Sequence, residues 1–220
     1  SRSACRPGTD PGQPIMKSNT IHRTIAVLFA WLPLCGAQAQ IELSIDLVHE
    51  KTLLHEPVPV RVEVRNNTAY PIRLGDPDSK ASLKFNVAEM SGKLLRTTRR
   101  SALRDAVTID PWRTSDMTAN LLHSVALVRE GQYTVSARLE FAGRAFRSNK
   151  AYLDVVQGLA VAERRAAGTP DGALLTYALR TLQRDRAQYI FLKVLNPAKS
   201  VCLGVFPLGR LVPLLKPQML

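Results

Sequence analysis

Cysteine is scarce in this chain, which has three, at Cys5, Cys35 and Cys202, among 220 residues. If residues 1–39 are removed, for the reason given below, Cys202 alone remains and an intrachain disulfide is excluded. Beyond that point the histidines are His49, His55 and His123, and their spacing matches no metal-binding motif. His49 with Glu50 and His55 with Glu56 are sequence neighbours, which a strand would point to opposite faces. No Gly-x-Ser-x-Gly turn presents a nucleophile, and Cys202 sits in the apolar run Val201-Cys202-Leu203, where an inert, buried thiol is expected. Asp46, Asp105, Asp110, Asp116 and Asp154 are scattered, so no carboxylate pair is placed for acid–base work. Gly204 and Gly209 flank Phe206-Pro207-Leu208 without the Lys-Ser or Lys-Thr of a phosphate loop. These lacks give an expectation of a non-catalytic protein with no catalytic residues, no metal and no cofactor. There is also no internal repeat, no low-complexity tract and no apolar run long enough to span a bilayer.

Acidic residues are few as well: 18 Asp and Glu stand against 30 Lys and Arg, for a formal charge of +12. After Met16 come Lys17, His22 and Arg23, then an apolar run from Ile25 to Leu34, then Ala37-Gln38-Ala39. A basic start, a short apolar middle and a small-x-small end make 16–39 a secretory signal peptide, helical in its middle, cleaved after Ala39. Pro33, Gly36 and the change to strand-like alternation at Ile41 argue against a buried helix of a cytosolic domain. Residues 1–15 are then upstream sequence or disordered. Leu34 occupies the place before Cys35 where a lipoprotein needs a small residue, which argues against lipid anchoring at Cys35. Cleavage removes Arg2, Arg6, Lys17 and Arg23 against Asp10, taking the charge from +12 to +9. The exported chain, periplasmic or extracellular and without a transmembrane span, would then favour anionic polysaccharide, a membrane surface or a protein as partner.

What the sequence does carry is strand alternation. Over Gly131 to Phe141, Tyr133, Val135, Ala137, Leu139 and Phe141 alternate with Thr134, Ser136, Arg138 and Glu140, the pattern of a half-buried strand. Val58, Val60, Val62 and Val64 alternate in the same way with Arg61, Glu63 and Arg65. Two one-sided strands imply an antiparallel sandwich, because parallel strands buried on both faces would read as unbroken apolar runs. Further short strands are predicted at 41–47, 70–74, 83–87, 93–97, 106–109, 117–122, 145–148 and 152–156, with turns at Asn66-Asn67-Thr68, Ser91-Gly92 and Ala142-Gly143. Asn66-Asn67-Thr68 is also a glycosylation sequon.

The valine strand ending in Asn66-Asn67-Thr68, and Glu130-Gly131-Gln132-Tyr133-Thr134-Val135 ahead, resemble the second and sixth strands of immunoglobulin-like and fibronectin type III-like sandwiches. The resemblance covers 40–157 and implies an all-β fold in which Tyr133 bonds back to the corner before it. It departs from true immunoglobulin domains in lacking the cysteine pair and the third-strand tryptophan, and it implies nothing about function. Phe85-Asn86-Val87 with Ser91-Gly92-Lys93 resembles the strand-turn-strand of bacterial proteinase-inhibitor sandwiches, which gives an inhibitor as an alternative. Residues 158–172, with Glu163-Arg164-Arg165 and Gly168-Thr169-Pro170-Asp171-Gly172, read as a linker. Runs at 173–182, 187–195 and 200–206 form a small β-meander within 173–220, which docks on the sandwich or continues into further sequence. In that last case the sandwich is an accessory domain of a larger exported enzyme or adhesin.

The one concentrated charge feature is Lys93, Arg96, Arg99, Arg100 and Arg104, with no acidic residue from Ser91 to Leu103. These are the candidate polyanion contacts. No aromatics interleave them for base stacking, which argues against specific nucleic-acid binding. Tyr133, Val60, Val62 and Val64 are the candidate structural residues. The functional expectation is therefore a binding or structural module.

Overall fold

The computed structural model describes residues 40–76, 78–97, 102–168, 172 and 174–211. The expected signal peptide at 16–39, residues 1–15, Cys5 and Cys35 lie outside the described residues, as do Arg99 and Arg100. In chain order the strands are β1 (Ile41–Leu47), β2 (Lys51–Leu53), β3 (Pro59–Asn66), β4 (Ile72–Leu74), β5 (Ser82–Glu89), β6 (Val107–Ile109) and β7 (Arg113–Asn120). A helical turn, α1 (Leu121–Ser124), precedes β8 (Gly131–Phe141), β9 (Arg144–Val156), β10 (Leu159–Ala167), β11 (Leu174–Arg184), β12 (Ala187–Asn196) and β13 (Val201–Arg210). The fold is all-β, as the alternation predicts. Its pairings are antiparallel except for β2 with β9, which run parallel over Lys51–Leu53.

One sheet has the order β1-β3-β7 and the facing sheet β2-β9-β8-β5, with a β4-β6 pair beside them. Each main strand contributes alternate residues to one shared core. Ile41, Leu43, Ile45 and Leu47 of β1 and Val60, Val62 and Val64 of β3 belong to the same cluster as Phe85 and Val87 of β5, and as Tyr133, Val135, Ala137 and Leu139 of β8. Arg61, Glu63 and Arg65 are exposed between the valines. The Tyr133 hydroxyl donates to Arg129 O at 2.8 Å, tying the start of β8 to the corner before it. That is the contact a tyrosine corner makes.

Three local readings need correction. The strand expected at 93–97 is reduced to isolated bridges of Leu94 with Ala88 and of Thr97 with Val125. The turn at Gly92 (φ 86°) folds the chain back so that Leu95 N donates to Val87 O, after which it leaves the edge of β5. The runs at 145–148 and 152–156 are one strand, β9, whose middle is polar because Asn149 has a task there. Its side chain donates to Ile45 O and accepts from Ile45 N, both at 2.9 Å, closing the open edge of β1. The supposed linker 158–172 contains β10, which runs antiparallel along β11 from Leu159 to Ala167. None of its side chains is fully buried, so backbone pairing holds it and no period-two pattern betrays it.

The C-terminal sheet is therefore four-stranded, in the order β10-β11-β12-β13. It meets the sandwich through Leu53 of β2, which packs with Leu182, Phe191 and Val205. Beside this small core lies a buried ion pair. Arg184 Nη2 is 2.9 Å from Glu56 Oε2, the same oxygen accepts from Thr52 Oγ1 and Leu53 N, and Arg184 Nε donates to Lys51 O. Glu56 and Arg184 are 7% and 8% exposed, and the guanidinium also lies over the Phe191 ring, 5.6 Å from its centroid. A side chain at Gly158 (φ 71°) would place Cβ 2.6 Å from Leu53 Cδ2 and 2.9 Å from Thr181 O, so the close approach of the two sheets requires glycine there.

Candidate functional site

Where the C-terminal sheet meets the ends of β2 and β9, the surface forms an open cleft of about 950 Å³. The rise of β9 into β10 supplies Val156, Gln157, Gly158 and Leu159 along one wall, and the β11–β12 hairpin supplies Thr181, Leu182, Gln183, Arg186 and Gln188. Lys51 and Glu130 come from the sandwich and Arg210 from the end of β13. The lining thus includes three cations, Lys51, Arg186 and Arg210, one carboxylate, Glu130, and the amides of Gln157, Gln183 and Gln188. Lys51 is 3.6 Å from Asp154, and both side chains stay substantially exposed.

The hairpin holds Arg186 at a cost. Asp185 and Arg186 both have positive φ, 49° and 62°, the geometry of a two-residue type I′ turn. Asparagine or aspartate followed by glycine suits that turn, whereas arginine at its second position stores of order 1 kcal/mol of backbone strain or more. The turn therefore places a cation at the rim of the cleft in a strained backbone conformation. Asp185 Oδ2 is 3.9 Å from His49 Nδ1, and His49, half-buried, is held below its ordinary pKa first by burial and then by the Arg184 charge.

The candidate polyanion contacts lie elsewhere. Lys93 and Arg96 are exposed and line a smaller depression of about 290 Å³ with Glu89, Leu94, Leu95, Val128, Arg129 and Tyr133. Arg104 is exposed on the segment before β6 and does not line it. The structure brings Lys93 and Arg96 together with an acidic neighbour the sequence run conceals, Glu89, while the arginines of the cleft come from the β11–β12 turn and the end of β13. Sequence reading missed the cleft because Lys51, Arg186 and Arg210 are far apart in the chain. The signal that could have found it is Arg186 itself, a poor residue for a tight hairpin turn.

Two of the histidines, His49 and His55, are partly buried, whereas His123 is exposed. His55 (φ 74°) lies in the β2–β3 loop, and burial, followed by the Lys193 charge, lowers its pKa. Cys202 is half-buried; burial pushes its thiol up, and its Sγ donates to Gly204 O at 3.6 Å. Among the described residues no group of three His, Cys, Asp or Glu is placed to hold a metal ion, and no helix is long and apolar enough to cross a membrane. Phe85 and Val87 point into the core, and Ser91-Gly92 forms the exposed turn after β5.

The sequon asparagine is not available on the folded surface. Asn66 is fully buried; its Nδ2 donates to Tyr70 O, Ile109 O and Asp110 O at 2.8, 3.2 and 3.1 Å, and its Oδ1 accepts from Thr68 N and Thr68 Oγ1. It is an internal strut between the end of β3 and the turn after β6.

Fold and site together define a β-sandwich carrying a docked antiparallel sheet, with a basic cleft at the junction. No protein-family model matches the chain, and no match is found among curated proteins. Solved structures with some likeness include the sporulation control protein Spo0M from Bacillus subtilis, at 10% identity, 74% of this chain, 83% of that chain and a TM-score of 0.32. The periplasmic chaperone SfaE matches at 11% identity, 74% of this chain, 98% of that chain and a TM-score of 0.27. At these scores neither likeness bears on what this chain does.

Proposed function

We propose that this protein is an exported, non-catalytic binding module of immunoglobulin-like type that holds an acidic polysaccharide in the cleft at the sheet junction. The cleft carries the reading: Lys51, Arg186 and Arg210 stand against Glu130 in about 950 Å³, with glutamine amides and the apolar Val156, Leu159 and Leu182 around them. Cations bind carboxylates, amides bind hydroxyls, and apolar surface takes the faces of sugar rings, so such a lining suits a chain bearing all of these. Export is supported by the basic, apolar and small-residue order of 16–39, and a single thiol, Cys202, suits an oxidising compartment.

Calorimetric titration of the purified chain with oligogalacturonate, and with a neutral oligosaccharide of equal length, tests this. Saturable binding to the acidic chain at physiological salt is expected, weakened about tenfold or more by Arg186→Ala combined with Arg210→Ala, and unchanged by Lys93→Ala combined with Arg96→Ala. Binding to every polyanion alike, lost on adding salt and indifferent to the cleft variants, would overturn it.

A further inference from the structure

The seam between the β2–β3 loop and the C-terminal sheet gathers more positive charge than the one carboxylate described there, Glu56 on Arg184, can meet. β12 places Lys193 on the same face as Phe191, opposite Ala178 of β11 and Val205 of β13. Phe191 and Val205 pack on Leu53, so the Lys193 side chain enters that seam, and the residue is only 7% exposed. An ammonium has three donors to satisfy. Among the described residues the Lys193 ammonium makes one hydrogen bond, a long one of 3.4 Å to Gln157 Oε1, and takes part in none of the ion pairs.

Arg180 adds a second cation. It pairs with Phe191 in the β11–β12 register, which makes it the diagonal neighbour of Lys193 on the same face, and its Nε is buried without a hydrogen-bond partner. From the loop side His55 sits near enough for the Lys193 charge to depress its pKa. Carboxylates are accounted for elsewhere. Glu56 is held by Arg184, Thr52 and the Leu53 N–H, and Glu163, opposite Ala178 on β10, is exposed and pairs with neither cation. Desolvating an ammonium and a guanidinium edge without a counter-charge is costly, and an anion of the right size removes that cost.

We propose that this seam is a binding site for a small oxyanion, the carboxylate or phosphate group of a ligand, held by Lys193 Nζ and the Arg180 Nε–H with His55 beside it. The site shares Gln157 with the cleft but does not depend on what the cleft binds. Burial first, with the Arg180 charge adding to it against an opposing Cys202 contribution, holds the Lys193 amine below its ordinary pKa, and a bound anion would act against that shift.

Thermal unfolding of the full chain at constant ionic strength, with inorganic phosphate or acetate replacing chloride, tests the site. Phosphate, acetate or both are expected to raise Tm with a saturating dose dependence, and whichever acts assigns the oxyanion class. Lys193→Met is expected to weaken the apparent affinity about tenfold or more, and to unfold at a higher temperature than the parent in chloride, since it replaces an uncompensated buried amine with an apolar chain. Should that variant not fold, Arg180→Gln, at a half-exposed position, is expected to weaken the anion effect several-fold. The cleft variants Arg186→Ala and Arg210→Ala should keep the full anion shift, even if they bind no polysaccharide. No shift with either anion, or a shift that survives both Lys193→Met and Arg180→Gln, would overturn the proposal.

Discussion

Asn66 concentrates five hydrogen bonds in one buried amide, and its replacement by aspartate would keep the two accepted bonds while deleting all three donated ones. Asn66→Asp is expected to cost about 1–3 kcal/mol or more in urea unfolding, since it leaves carbonyls unpaired beside a new buried charge. An unchanged midpoint would contradict its role as a strut. At β3, Val62→Lys is expected to prevent folding, because its position is wholly inside the core, whereas Arg61→Ala should barely move Tm. His55 gives a pH dependence of defined sign. Its folded-state pKa lies below the ordinary 6.5, so the unfolded chain takes the proton more readily, and stability present above 6.5 is lost as pH falls through the folded value. His55→Gln should flatten the acid limb of a Tm-against-pH curve, and a steeper limb would contradict the assignment. The valines and Tyr133 were legible at this scale because period-two alternation is a direct image of a strand with one buried face. Asn66, Lys193 and Arg180 were not, since polar residues enter a core only where long-range partners or ligands meet them.

Between elements, the Glu56–Arg184 pair joins the β2–β3 loop to β11. Arg184→Met strands a buried carboxylate and is expected to cost about 3–5 kcal/mol, and adding Glu56→Gln, which keeps an acceptor for Thr52 and the Leu53 N–H, should recover part of that loss. Additive effects in the two variants would contradict a direct pair. The hairpin turn separates stability from binding in a second way. Arg186→Gly relieves the strained φ and is expected to hold or raise Tm while weakening acidic oligosaccharide binding. The sequence showed β11, β12 and β13 as apolar runs but hid β10, whose Leu159–Ala167 stretch has no fully buried side chain and is held by its ladder to β11. It likewise showed β8 in full while dividing β9, because Asn149 serves the edge of β1 rather than the core.

For the whole molecule, two basic surfaces compete as the place where an anionic chain would bind. The loop with Lys93 and Arg96 is dense in sequence but shares its depression with Glu89, whereas the cleft assembles Lys51 from the start of β2, Arg186 from the β11–β12 turn and Arg210 from the end of β13. Charge runs are visible in a sequence; charge brought together by sheet packing is not, so the sequence points to the loop and conceals the cleft. The two can be told apart by following backbone amide shifts of the isotope-labelled chain as oligogalacturonate is added at physiological salt. Shifts centred on Lys51, Gln183, Arg186, Gln188 and Arg210 are the expected result, and shifts centred on Lys93 to Thr97 with the cleft unmoved would contradict it.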